Sequence, residues 1–136
     1  MTRPTPKTVP WDRDFWANAE RGVLSAQRCD DCGRLQHYPK PVCSECLGAN
    51  IRFEALSGRG EVYSFTTVRR PELPEFEAEA PYTVVDVLLD EGIRFLSRLA
   101  DEQDAPGLKL GDKLTTVFKP VGDGTKHLPY FVKVRD

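Results

Sequence analysis

Cys29-Asp30-Asp31-Cys32-Gly33 and, ten residues on, Cys43-Ser44-Glu45-Cys46 hold every cysteine of this 136-residue chain. Two thiolates separated by two residues reach one ion from a single tight turn, and a small residue after the pair lets backbone N–H groups turn toward the sulfurs. Gly33 is that residue in the first pair. The intervening stretch suffices for one hairpin, with Arg34 to Tyr38 running outward, Pro39 to Pro41 turning, and a return into Cys43. The spacing predicts a tetrahedral four-thiolate metal site. Zinc is the expected ion; a rubredoxin-type iron would use the same ligands, and two disulfides are the competing use of two cysteine pairs. With protein at all four positions no place remains for an activated water. The ion is therefore expected to be structural, contributing about 10 kcal/mol to a segment with little core of its own.

Working outward, the sequence shows no run near the ~20 apolar residues of a membrane helix, and 40% apolar with 29% charged residues suits a globular chain. No membrane association is expected. No apolar signal-type core precedes the cysteines, so a cytoplasmic location is expected. Residues 1–60 carry nine Lys/Arg against seven Asp/Glu, and residues 61–136 ten against fourteen. An acidic larger half argues against a phosphate-neutralising stripe, and no nucleic-acid partner is expected.

The pattern divides the chain into an N-terminal arm and amphipathic helix (1–22), a metal ribbon (23–57) and a β domain (58–136). Asp12 can cap a short helix that places Phe15, Trp16 and Ala19 on one face, and Gly22 can end it. Val23 to Arg28 and Ile51 to Leu56 read as extended pieces around the knuckles. Ser57-Gly58-Arg59-Gly60 reads as a flexible junction. Strands are expected over Glu61–Arg70, Tyr82–Asp90, Ile93–Leu99, Lys113–Lys119 and Leu128–Val134, with an acidic loop over 71–81 and a hairpin at Asp90-Glu91-Gly92. Five strands with one long connection between the third and fourth outline a small Greek-key barrel of the OB type, with an SH3-like barrel as the competing topology.

The order of these features is specific: the aromatic helix, the two knuckles, Ser57-Gly58-Arg59-Gly60-Glu61-Val62-Tyr63-Ser64-Phe65-Thr66, Ala80-Pro81-Tyr82, Asp90-Glu91-Gly92 and Leu110-Gly111-Asp112. It resembles the DUF35 family of zinc-ribbon and OB-fold proteins associated with acyl-CoA metabolism. Ser44, where relatives often have proline, and Phe53, where tryptophan is common, depart from the pattern without disturbing the metal or fold. The resemblance implies an accessory subunit in a hetero-oligomer with a thiolase-like enzyme, a MaoC-like hydratase or an aldolase. Some relatives serve steroid side-chain degradation. It also implies that this chain helps hold acyl-CoA at the shared surface.

The residues themselves name no catalytic group, because every cysteine is committed to metal and only two histidines, His37 and His127, are present to activate a nucleophile as imidazole bases. Candidates for phosphate contacts are Arg69, Arg70, Arg94 and Arg98, of which the last two share a strand face. Candidates for partner docking are Trp11, Phe15 and Trp16 on the helix, with Leu73 and Phe76 in the acidic loop. The alternative function is single-stranded nucleic-acid binding, a use to which ribbons and OB barrels are both put.

Overall fold

The computed structural model describes residues 3–135. Strands β1 (Ser25–Cys29), β2 (Leu35–Gln36) and β3 (Ile51–Ala55) form a small antiparallel sheet with β1 in the middle, and Cys29 lies opposite Ile51. The expected hairpin between the two knuckles is not what forms. β2 returns against β1, and residues 37–50 are irregular. Two buried glutamines organise them. Gln27 accepts from Lys40 N at 2.9 Å and from Gln36 Nε2 at 2.7 Å, while Gln36 accepts from Ser44 N at 2.9 Å. Side-chain amides thus satisfy backbone groups that a hairpin ladder would otherwise have paired.

The larger sheet comprises β4 (Arg59–Val68), β5 (Tyr82–Leu89), β6 (Arg94–Arg98), β7 (Lys113–Val121) and β8 (Lys126–Lys133), in the order β6-β5-β4-β7-β8 with antiparallel neighbours. A parallel bridge between Leu99 and Phe131 brings the two outer strands together, so the sheet nearly closes on itself. This is the OB-type barrel that the strand pattern predicts. Alternation along β5 sends Thr83, Val85, Val87 and Leu89 inward, and Phe131 of β8 is fully buried. A bulge between Val62 and Ser64 lets the long β4 bend, pairing with β5 along its length and with β7 only through Arg59–Glu61.

Several local expectations are corrected. Arg59 and Gly60 belong to β4, and Gly60 is buried between Leu89 and Leu114, so only Ser57 and Gly58 form the junction. The acidic loop contains a 3-10 turn over Pro74–Glu79. The last strand, expected from Leu128, begins at Lys126, so His127 stands on β8. Helix α1 spans Arg13–Glu20, but Asp12 accepts from Val9 N at 2.8 Å and leaves the helix without a side-chain cap. Gly22, at φ +77°, does end it.

Helix α1 packs on the barrel. Phe15 is buried, stacked on Phe95 at 6.3 Å and edge-on to Trp16 at 5.0 Å. The arm before the helix runs back over the barrel: Arg3 donates to Glu79 at 2.6 Å and to Tyr130 Oη at 3.0 Å, and Lys126 donates to Thr8 Oγ1. No helix among the described residues is long and apolar enough to cross a membrane.

Candidate metal centre and adjoining clefts

The four cysteine sulfurs lie within 4.8 Å of one another, with Cys29 to Cys46 and Cys32 to Cys43 each at 3.6 Å. A tetrahedral zinc with Zn–S bonds near 2.3 Å separates its sulfurs by about 3.8 Å, so this donor set fits the ion. The knuckles are built alike. Gly33 N donates to Cys29 O at 2.9 Å and Leu47 N to Cys43 O at 2.9 Å, and both residues take positive φ, +79° and +63°. Glu45 N and Gly48 N point at Cys43 and Cys46 sulfurs at 3.4 Å.

Backbone N–H groups of Cys46 and Glu45 bring the Cys43 thiol down to about 6. Cys46, despite the N–H of Gly48, is pushed up to about 12 by the Cys29 thiol and by desolvation. Four close sulfurs cannot all ionise unaided, whereas a dication stabilises all four thiolates at once.

Two clefts open where the ribbon meets the barrel. One, of about 310 Å³, is walled by aromatic and apolar side chains including Phe15, Trp16, Phe95, Pro129 and Tyr130. The other, of about 520 Å³, is polar and lined by Arg34, Lys40, Arg94 and a single carboxylate, Asp86. His37, Tyr38 and Leu96 line both. The His37 ring stacks on Phe95 at 4.1 Å and lies 4.2 Å from Tyr38, and burial brings its imidazole down to about 4. A neutral histidine here is a wall of the junction.

The arginines singled out in the sequence do not converge. Arg94 faces Asp86 at 3.5 Å and covers the Tyr63 ring at 4.6 Å. Arg98 is tied to Glu79 at 2.9 Å and covers Tyr82 at 4.5 Å, while Arg69 and Arg70 follow the end of β4 and line neither cleft. Among the apolar candidates, Trp11 and Leu73 are exposed. Phe76 is half-buried under Arg3, Trp16 is half-buried against the core, and Phe15 lies inside the molecule, which corrects its place on a docking face. Sequence reasoning missed Tyr38 and Leu96, 57% and 52% exposed on the wall common to both clefts, and the cations Arg34 and Lys40. A cluster of basic residues flanking His37-Tyr38 was the available signal.

Residues 16–52 match a family described as "ChsH2, rubredoxin-like zinc ribbon domain", and residues 53–119 match "ChsH2, C-terminal OB-fold domain". With the sulfur geometry, the first match makes the site a structural zinc centre. A DUF35 domain-containing scaffold protein of Methanothermobacter thermautotrophicus is 33% identical over 75% of this chain and 76% of its own length. A probable enoyl-CoA hydratase alpha subunit of Thermomonospora curvata is 37% identical over 71% of this chain, which spans only 30% of that subunit. Matches extend to the benzoylsuccinyl-CoA thiolase subunit BbsA of Geobacter metallireducens, 26% identical over 78% of this chain and 68% of that subunit. Among solved structures, the Ltp2-ChsH2(DUF35) aldolase contributes a chain that superposes with a TM-score of 0.80 at 28% identity, covering 93% of this chain and 97% of that one.

Proposed function

The chain belongs to the DUF35 family of zinc-ribbon and OB-fold proteins, and on that premise we propose that it is a non-catalytic accessory subunit of an enzyme acting on acyl-CoA thioesters. The partner is a thiolase-like enzyme, a hydratase or an aldolase, and it performs the chemistry. One observation carries this reading: an exposed apolar rim, Tyr38 and Leu96, surrounds a cleft at the junction of ribbon, helix and barrel, in a chain whose thiols gather at one metal. Relatives that are subunits of hydratase and thiolase enzymes support it, as does the likeness to the aldolase chain. Four thiols at one ion suit the reducing cytoplasm, where we place the protein. The arm with its helix (1–22), the ribbon (23–57) and the barrel (58–136) are proposed as its working parts.

Reconstitution tests the proposal. A thiolase-like, hydratase or aldolase enzyme encoded beside this chain is assayed on its thioester with and without it. Recovered or raised activity with the chain is expected, with Trp11→Glu and Tyr38→Glu weakening the effect. Activity identical in both cases overturns the reading.

A further inference from the structure

The second half of β4 has a neighbouring strand on one side only. Residues 64–68 pair with residues 82–86 of β5, whereas β7 meets β4 only at residues 59–61. The turn before β7 closes that second contact, with Val62 N donating to Asp112 O and Val62 O accepting from Gly111 N, each at 2.9 Å. Beyond Val62 no strand among the described residues lies against this edge, and residues 63–67 are exposed. An open edge is a row of backbone donors and acceptors ready for another strand, and folded proteins guard such edges with charge, proline or a bulge. Ser64-Phe65-Thr66-Thr67-Val68 carries none of these, since its bulge lies before it and Arg69 and Arg70 come after it. Four of the five residues are β-branched or aromatic. The core-facing row also runs out past the closed part of the barrel. Phe65 stands opposite Val85 and Thr67 opposite Thr83, both fully buried, yet Phe65 itself is 42% exposed. None of the five lines either cleft.

We propose that this edge is covered by the same edge of a second copy of the chain, the two β4 strands running antiparallel about a two-fold axis at Thr66. Self-complementarity selects this occupant. A two-fold axis perpendicular to a sheet places one residue opposite itself, and Thr66 is the midpoint of the five regular residues between the bulge and the arginines. That register uses all five. Thr66 meets Thr66, Phe65 meets Thr67 and Ser64 meets Val68, each pair on a shared face, and the two Phe65 rings become diagonal neighbours within reach of one another. A register centred on Phe65 would instead drive Val68 into the slot beside Val62 that Gly111 and Asp112 already fill. Charge agrees with the Thr66 register. Arg69 and Arg70 make no ion pair among the described residues, and the pairing carries them past Tyr63 toward Glu61 of the second copy, a carboxylate 40% exposed beside Lys113. The symmetric contact consumes the edge of both copies, so it closes at a dimer. Five paired residues span about 17 Å. A contact this small is weak, with half-association on the order of 10 μM.

The test is sedimentation equilibrium of the zinc-loaded full chain from about 1 to 300 μM, a range that brackets the expected half-association. The mass should rise from the 15.3 kDa monomer toward twice that value. Over the same range the outward-facing amides of residues 64–68 should slow in hydrogen exchange. Thr66→Lys and Thr66→Glu each set like charges opposite one another on the axis, and each should weaken association about tenfold. An equimolar mixture of the two variants should recover it, because lysine then faces glutamate. Thr66 is exposed, so both variants should melt close to the native chain. Leu96→Glu, on the cleft rim, should leave association unchanged. A mass fixed at the monomer over the whole range, or a mixture no heavier than its components, overturns the proposal. Equal loss in Leu96→Glu also overturns it, by moving the contact to the cleft rim. A monomeric chain whose Thr66→Lys variant instead loses a partner enzyme assigns the edge to a strand of that enzyme and removes the second copy as its occupant.

Discussion

Leu47 occupies the position in the second knuckle that Gly33 occupies in the first, and it holds φ +63° there while 73% exposed. A side chain in the left-handed region costs about 1–2 kcal/mol, partly offset in a glycine variant by the freer unfolded chain. Leu47→Gly should therefore raise the stability of the zinc-loaded protein by about 0.5–1 kcal/mol in urea titration. An unchanged or lower midpoint would mean that the exposed leucine makes a compensating contact. His37 gives a second prediction. Its folded value of about 4 lies below the 6.5 of a free histidine, so its burial stabilises the fold above pH 6.5 and loses that contribution as pH falls from there toward 4. Relative to His37→Phe, which keeps the stack and cannot titrate, the native chain should lose about 2 kcal/mol between pH 7.5 and pH 5. Parallel pH curves for the two proteins would contradict the buried, neutral histidine.

At the scale of elements, β4 is where sequence and structure part most clearly. Ser57-Gly58-Arg59-Gly60 looks like a hinge because glycine is the usual residue of turns, yet Gly60 is there for closeness. A Cβ at Gly60 would strike the Leu88 carbonyl of the neighbouring strand. Gly60→Val should accordingly destabilise the barrel by about 2–3 kcal/mol or prevent its folding, read by thermal melting of soluble protein. A melting point equal to the native chain's would return Gly60 to the linker. The strands themselves were legible because β5 alternates and Gly92 marks its hairpin, and the metal ligands because cysteine spacing is a local code. The glutamine-held connection of residues 37–50 was not legible, since partners such as Gln27 and Ser44 are brought together only by folding. The clefts were missed for the same reason: Arg34, Tyr38 and Lys40 come from the ribbon, Arg94 and Leu96 from the barrel, and no pattern within either segment announces the other.

For the whole molecule, the zinc ribbon and barrel are physically one unit, stapled through Phe15, His37 and Phe95. Removing the ion should loosen the knuckles, the 37–50 connection and with them the cleft wall, so Cys29→Ser or Cys46→Ser is expected to yield insoluble or partner-free protein. A folded variant still bound to its partner would show the metal to be dispensable. The claim that this surface exists to be covered by an enzyme is tested most directly by the mass, in solution, of the chain co-expressed with its neighbouring thiolase-like, hydratase or aldolase enzyme, measured by light scattering during size-exclusion chromatography. A single peak with the summed mass of a defined hetero-oligomer, lost in Tyr38→Glu, is the predicted result. Two separate peaks, with this chain alone at its 15.3 kDa monomer mass, would contradict it.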